Sequence, residues 1–145
     1  MGQESKKILL KIPGETCYLD EVRNFITGIA ADAGFNEEDL HRIEAAVDEA
    51  CANVMEHAYD QSEAIKPVTI SLELTPSRLV ISVIDYGKGF NPDILQSPDI
   101  SKYISEKKNS GLGLFMIKAL MDEIDYKSNP GKYNELVMIK YIHPR

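Results

Sequence analysis

Three short strings carry residue types whose spacing could do chemistry. In a stretch with helical period, Glu49, Asn53 and His57 recur every four residues, so they form one line beside an apolar stripe. An amide and a carboxylate one turn apart can act together, the amide oxygen coordinating a hard cation such as Mg²⁺ while the carboxylate accepts a proton nearby. A solvated helix face would read the same way. His57 is better explained by the helix dipole or by an ordinary hydrogen bond than as a ligand, and zinc held by Glu49 and His57 would lack further nitrogen or sulfur donors. The second string, Val83-Ile84-Asp85-Tyr86-Gly87-Lys88-Gly89-Phe90, ends an apolar run in a carboxylate and two glycines. A carboxylate there can accept a hydrogen bond from an exocyclic amine, and glycines let backbone approach a flat ring or a phosphate. Taken alone, the string also reads as a turn capped by an aspartate. The third, Ser110-Gly111-Leu112-Gly113, opens a helix, whose unpaired N–H groups and positive dipole end suit an anion. A hinge before a helix is the plainer alternative. It is not a dinucleotide fingerprint, since no strand leads into it, and it lacks the Gly-Lys-Ser/Thr ending of a P-loop.

The elements that must position these strings follow from the pattern of the chain. Lys7–Ile12 reads as a strand closed by Pro13-Gly14, and Cys17–Ala33 as a helix stopped by Gly34. Asn36, with Asp39 three residues on, predicts the cap of a second helix running from about Glu37 to Tyr59. Its buried stripe is Leu40, Ile43, Ala46, Val47, Ala50, Val54 and Ala58. After a polar loop, 60–67, alternation predicts strands at Val68–Leu74 and Leu79–Val83 around a turn at Thr75-Pro76-Ser77. Residues 87–110 lack periodicity, and a loop that long in a compact domain is usually functional. Leu112–Glu123 returns to helix, and Ile124–Tyr126 and Leu136–Ile142 read as closing strands around Asn129-Pro130-Gly131. Strand and helix do not alternate. The expected fold is therefore α+β: a two-layer sandwich with a mixed, mostly antiparallel sheet covered on one face by helices, as a single domain over 1–145.

Composition narrows the function. The chain has 145 residues, 43% apolar and 27% charged, with a net charge of −7. That is ordinary globular composition, and the excess of carboxylates argues against direct nucleic-acid binding: a polyanionic partner would need a local device such as the glycine-opened helix. Cys17 and Cys51 are too few for a disulfide scaffold and suggest reduced thiols, hence a cytoplasmic setting. No apolar run reaches a membrane span and the first residues carry no signal-peptide pattern.

The three strings in this order resemble the N-box, first G-box and second G-box of the GHKL ATPase superfamily, whose shared fold is the Bergerat-type ATP-binding sandwich of gyrase and sensor histidine kinases. Within it the chain is most similar to the bacterial anti-sigma factor serine/threonine kinases. The likeness rests on Glu44–Asn53, His57-Ala58-Tyr59, Asp85-x-Gly87-x-Gly89-Phe90 and Gly111–Phe115 through Leu120–Ile124, and runs over most of the chain. The resemblance implies that ATP and Mg²⁺ bind, with Asn53 holding the metal against the phosphates and Glu49 as general base. It implies that Asp85 reads the adenine amino group while Gly87 and Gly89 shape the pocket wall. Gly111, Leu112 and Gly113 would meet the phosphates through backbone N–H groups, under an ATP lid at about 87–110. Lys107 and Lys108 in that lid could support the γ-phosphate, although a solvated loop pair explains them as well. One departure is expected: the family places a small hydroxyl residue beside the adenine-binding aspartate, where this chain has Glu135.

The branch follows from chemistry. Histidine is already a neutral nucleophile, whereas a serine hydroxyl or a water needs a base, and general-base help is typically worth ~10²–10⁴ in rate. Glu49 fits the second case. A phosphoacceptor hairpin or a second, lysine-donating domain would find no room in 145 residues. With the branch so chosen, the resemblance implies a serine/threonine kinase that phosphorylates a small antagonist protein and sequesters a sigma factor, and implies a homodimer. A non-catalytic nucleotide-binding switch and a plain ATP hydrolase remain the alternatives. Arg23 does not align with the arginine through which a relative grips its sigma factor, and no such role is transferred to it.

Overall fold

The computed structural model describes residues 5–55, 66–87, 109–129 and 132–143, and the side chains of all of these except 109–112. His57, Gly89, Lys107, Lys108, the expected helix end at Tyr59 and nearly all of the expected lid lie outside the described residues.

The chain runs β1 (Lys6–Pro13), a single 3₁₀ turn (Thr16–Tyr18), α1 (Leu19–Ala33), α2 (Glu37–Asn53), β2 (Pro67–Leu74), β3 (Arg78–Asp85), α3 (Asn109–Leu120), β4 (Glu123–Asn129) and β5 (Tyr133–Tyr141). The five strands are ordered β1-β2-β3-β5-β4. Each of these pairings is antiparallel, so the expected mixed sheet is antiparallel throughout the described residues.

Register explains the core. Ile8, Leu72, Ile81, Met138 and Ile124 lie opposite one another in turn, and so do Leu10, Ile70, Val83, Leu136 and Tyr126. These two apolar rungs cross all five strands on one face. Against them pack Val22, Ile26 and Ala30 of α1, Ile43, Ala46, Val47 and Ala50 of α2, and Leu114 and Ile117 of α3, all buried. With period 2 along each strand, the next positions on that face stay apolar in β1 and β2, at Ile12 and Val68, but turn polar in the other three strands: Asp85 opposite Asn134, and Asn134 opposite Ser128.

Local chemistry sets the helix bounds. Gly34 stops α1 in the left-handed conformation at φ 102°, where a Cβ would be strained. The Asn36 side chain accepts the Asp39 N–H at 2.7 Å, the expected cap, and Glu37, Glu38 and Asp39 suit the positive end of α2. Arg23 ties α1 to α2 through Asp48 at 3.0 Å while also meeting Asp20. α3 ends at Leu120, three residues short of the expected Glu123. There Asp122 leaves the helical path: its N–H donates to the Ile139 carbonyl, and its carboxylate accepts the Tyr141 N–H and meets Lys140. Lys140 is itself buried and also faces Asp39 at 3.6 Å and the Leu120 carbonyl at 3.4 Å, which fastens the far end of α3 to the start of α2.

Candidate functional site

The site is built where α2, α3 and the polar rung meet. The apolar stripe of α2 fixes its rotation, and the neighbouring line then turns Asn53 inward. Asn53 is 4% exposed, and its Nδ2 has no hydrogen-bond partner among the described residues. Leaving such a donor unmade costs about 1–3 kcal/mol, which makes Asn53 a candidate ligand group. Glu49, one turn earlier, is half-buried. Directly after Asn53 the backbone widens into a π turn at Val54 and Met55, a deviation found frequently at functional sites.

α3 comes in against this pair. A Cβ on Gly113 would lie 2.5 Å from Glu49 Oε1, 2.6 Å from Asn53 Nδ2 and 3.1 Å from Asn53 Oδ1. A side chain there would require the Glu49 carboxylate and the Asn53 amide to move aside. α3 also begins at Asn109, three residues before the expected start at Leu112. Its free N–H groups therefore fall in the first turn, which includes Gly111. The Gly113 N–H lies inside the helix and is an intrahelical donor, so what distinguishes Gly113 at this approach is its missing side chain.

Asp85 ends β3 on the inner face, 3% exposed. Its Oδ1 accepts the Gly87 N–H at 2.8 Å and Asn134 Nδ2 at 3.0 Å. The capped turn read as the plain alternative is thus present, and the carboxylate is available to a pocket as well. Burial pushes the Asp85 carboxyl above its ordinary value, and the bonds from Asn134 and Gly87 oppose that rise. Asp85 and Asn53 line one narrow cleft, with room inside for little more than a water molecule, together with Ala50, Val54, Val83, Leu114, Tyr126 and Leu136. Its walls are mostly apolar, with a carboxylate and an amide among them, the chemistry that would meet an apolar ligand bearing a donor.

Glu135 is not beside Asp85. It pairs with Ile84 and Lys127, on the opposite face of the sheet. The neighbour of Asp85 is Asn134, 1% exposed, which also donates to the Gly87 carbonyl at 2.9 Å and accepts the Ser128 hydroxyl at 2.7 Å. The sequence reading missed Asn134; counting back two residues from the inward Leu136 would have found it.

The donors present suit Mg²⁺: an amide oxygen and a nearby carboxylate are hard ligands, and Mg²⁺ commonly takes its remaining ligands from substrate phosphates and water. Cys51, behind Asn53, is fully buried, and burial pushes its thiol up to about 12, so it stays neutral. Cys17 is exposed, and both thiols are free.

Residues 12–140 match the histidine kinase-like ATPase domain. The chain belongs to that family. It is 36% identical over 146 residues to a serine-protein kinase RsbW of Bacillus mycoides, covering 98% of this chain and 89% of the relative. To the serine-protein kinase RsbW of Halalkalibacterium halodurans it is 34% identical, over 96% and 85% of the two chains. Among solved structures, the RsbU and RsbW domains of Rv1364c from Mycobacterium tuberculosis superpose with a TM-score of 0.69 at 18% identity, over 96% of this chain and 33% of that longer one. The histidine kinase domain of Erythrobacter litoralis EL346 superposes at 0.52, also at 18% identity, over 88% and 61%. These two likenesses are of fold. No described helix is long and apolar enough to cross a membrane.

Proposed function

We propose that the chain is an ATP-dependent serine/threonine protein kinase and anti-sigma factor, which phosphorylates a small antagonist protein and sequesters a sigma factor. The kinase relatives support this along nearly the whole chain. The observation that carries the chemistry is the meeting of three elements: Gly113 of α3 lies against Glu49 and Asn53 of α2, and Asn53 shares a pocket with Asp85 of β3.

In this reading Asp85 accepts the adenine amino group and the apolar walls hold the ring. Gly87, whose N–H already meets Asp85, and Gly89 would shape the pocket wall, as the resemblance implies. The first turn of α3, through the backbone of Gly111 and Leu112, holds phosphate oxygens, and Gly113 keeps that helix close to Asn53. Asn53 holds Mg²⁺ through its amide oxygen. When bound, the metal neutralises charge on the phosphate oxygens. Glu49 takes the proton from the attacking serine or threonine hydroxyl; the oxygen bonds to the γ-phosphorus as the bond to ADP breaks. Residues 87–110 act as the lid. The protein works as a cytoplasmic homodimer, a single domain per chain, with no direct nucleic-acid or membrane partner. Antagonist and sigma factor compete for it, with nucleotide state setting the balance.

The test is the fate of γ-labelled ATP incubated with the protein and a candidate antagonist. Label is expected on a serine or threonine of the antagonist, with Glu49→Gln lowering the rate by about 10²–10⁴ while leaving ATP affinity nearly unchanged. Label appearing only as free phosphate would mean an ATP hydrolase, and no label released at all would mean a non-catalytic switch.

A further inference from the structure

We propose that Asn134 is the residue that sets base specificity in this cleft, by holding Asp85 with one carboxylate oxygen saturated and the other presented to a 6-amino purine. The inference rests on the nucleotide site proposed above and deepens it.

Asn134 is completely used. Its two amide protons go to Asp85 Oδ1 at 3.0 Å and the Gly87 carbonyl at 2.9 Å, and its own oxygen accepts the Ser128 hydroxyl at 2.7 Å. Turned over, the amide would point its oxygen at two other acceptors, so the network admits one orientation. With the Gly87 N–H at 2.8 Å, Asp85 Oδ1 takes two donors, whereas Oδ2 takes none from the described residues. Asp85 lines the pocket beside Asn53, Leu114 and Tyr126. An oxygen with unused lone pairs at an apolar slot demands a donor. A 6-amino purine supplies one, whereas a 6-oxo purine brings an acceptor against an acceptor.

Asn134 protects this discrimination in a second way. Burial favours the protonated Asp85, and the bond from Asn134 opposes it. Tyr126 is the other titratable side chain lining the pocket among the described residues. Freed of Asn134, the carboxyl would rotate and protonate more readily, and a protonated carboxyl donates to a 6-oxo group as well as it accepts from an amine.

The experiment titrates the intact protein with ATP and with inosine triphosphate, which carries the same triphosphate on a 6-oxo purine. Wild type is expected to prefer ATP by at least about tenfold, as for loss of a hydrogen bond to a charged group. Asn134→Leu is expected to keep binding triphosphate, to narrow the preference to about threefold or less, and to move the acid limb of ATP affinity to higher pH. An unchanged preference and acid limb in Asn134→Leu, even with a lower melting temperature, would overturn the proposal and leave Asn134 a structural tether. If that variant fails to fold, Ser128→Ala removes only the bond that orients the Asn134 oxygen. A smaller narrowing is expected there, and none at all would likewise overturn the proposal. Wild-type protein that binds neither nucleotide would instead bring down the underlying site, so the two failures are distinct.

Discussion

Asp85 is a buried carboxylate whose ionisation weighs against the fold. Its carboxyl is held above its ordinary value by burial, despite the bonds from Asn134 and Gly87. A folded pKa above the unfolded ~3.9 means the group favours the folded state while protonated, and that contribution is lost as pH rises through the folded value. Asp85→Asn keeps an oxygen for the two donors and places an NH₂ group where Oδ2 stood. We expect it to melt at a higher temperature than wild type at neutral pH. We also expect ATP binding to weaken by about 10- to 150-fold, the equivalent of about 1.5–3 kcal/mol for a hydrogen bond to a charged group. Thermal melts with nucleotide titration check both, and unaltered affinity would remove Asp85 from the site. The carboxylate was legible in the sequence as an acid ending an apolar strand. Its partner was not: Glu135 and Asn134 are adjacent, and only the inward seating of Leu136 and Met138 decides which of them faces Asp85. A slip of one residue exchanges every side chain between the faces.

At the scale of elements, α3 matters most, because its first turns must approach α2 closely. Gly113→Ala would improve helix propensity in isolation, but here the added methyl overlaps Glu49 Oε1 and Asn53 Nδ2. Those side-chain ends must move aside to admit it, so ATP affinity is expected to fall, with a stability loss smaller than the roughly 1–3 kcal/mol of overpacking against a rigid core. Gly28, inside α1, has nothing within 4 Å of an added Cβ. Gly28→Ala is the matched control and should stabilise by about 0.4–1 kcal/mol. Denaturant melts of the two variants with nucleotide titration separate the effects, and a Gly113→Ala variant as stable as wild type with normal affinity would contradict the packing argument. The helices were unequally legible. α2 announced itself through Asn36, Asp39 and a regular apolar stripe, all local signals. The start of α3 did not, because Asn109, Ser110 and two glycines read as punctuation, and the reason for Gly113 is a contact with a helix some sixty residues earlier in the chain. Its early end likewise depends on Asp122 meeting β5.

For the molecule as a whole, the proposed function asks an acidic chain to bind a polyanion, and the fold brings distant segments together into one local site for it. The antiparallel sheet holds Asp85 and Asn134 at one end of two apolar rungs, and Lys140 fastens the far end of α3 beside Asp39. Sandwich and layer order were legible because alternation and helical period are strong over β2, β3, α1 and α2. The sheet's wholly antiparallel pairing was not, since pairing partners are set by packing between segments rather than by any one of them. Carboxamide, carboxylate and helix start are proposed to serve one triphosphate together. The most direct measurement of this is calorimetric titration of wild type and Asn53→Ala with a non-hydrolysable ATP analogue, with and without Mg²⁺. The account predicts tight, Mg²⁺-dependent, one-to-one binding per chain to wild type and its loss in Asn53→Ala; Mg²⁺-dependent binding of equal strength in the two proteins would contradict it.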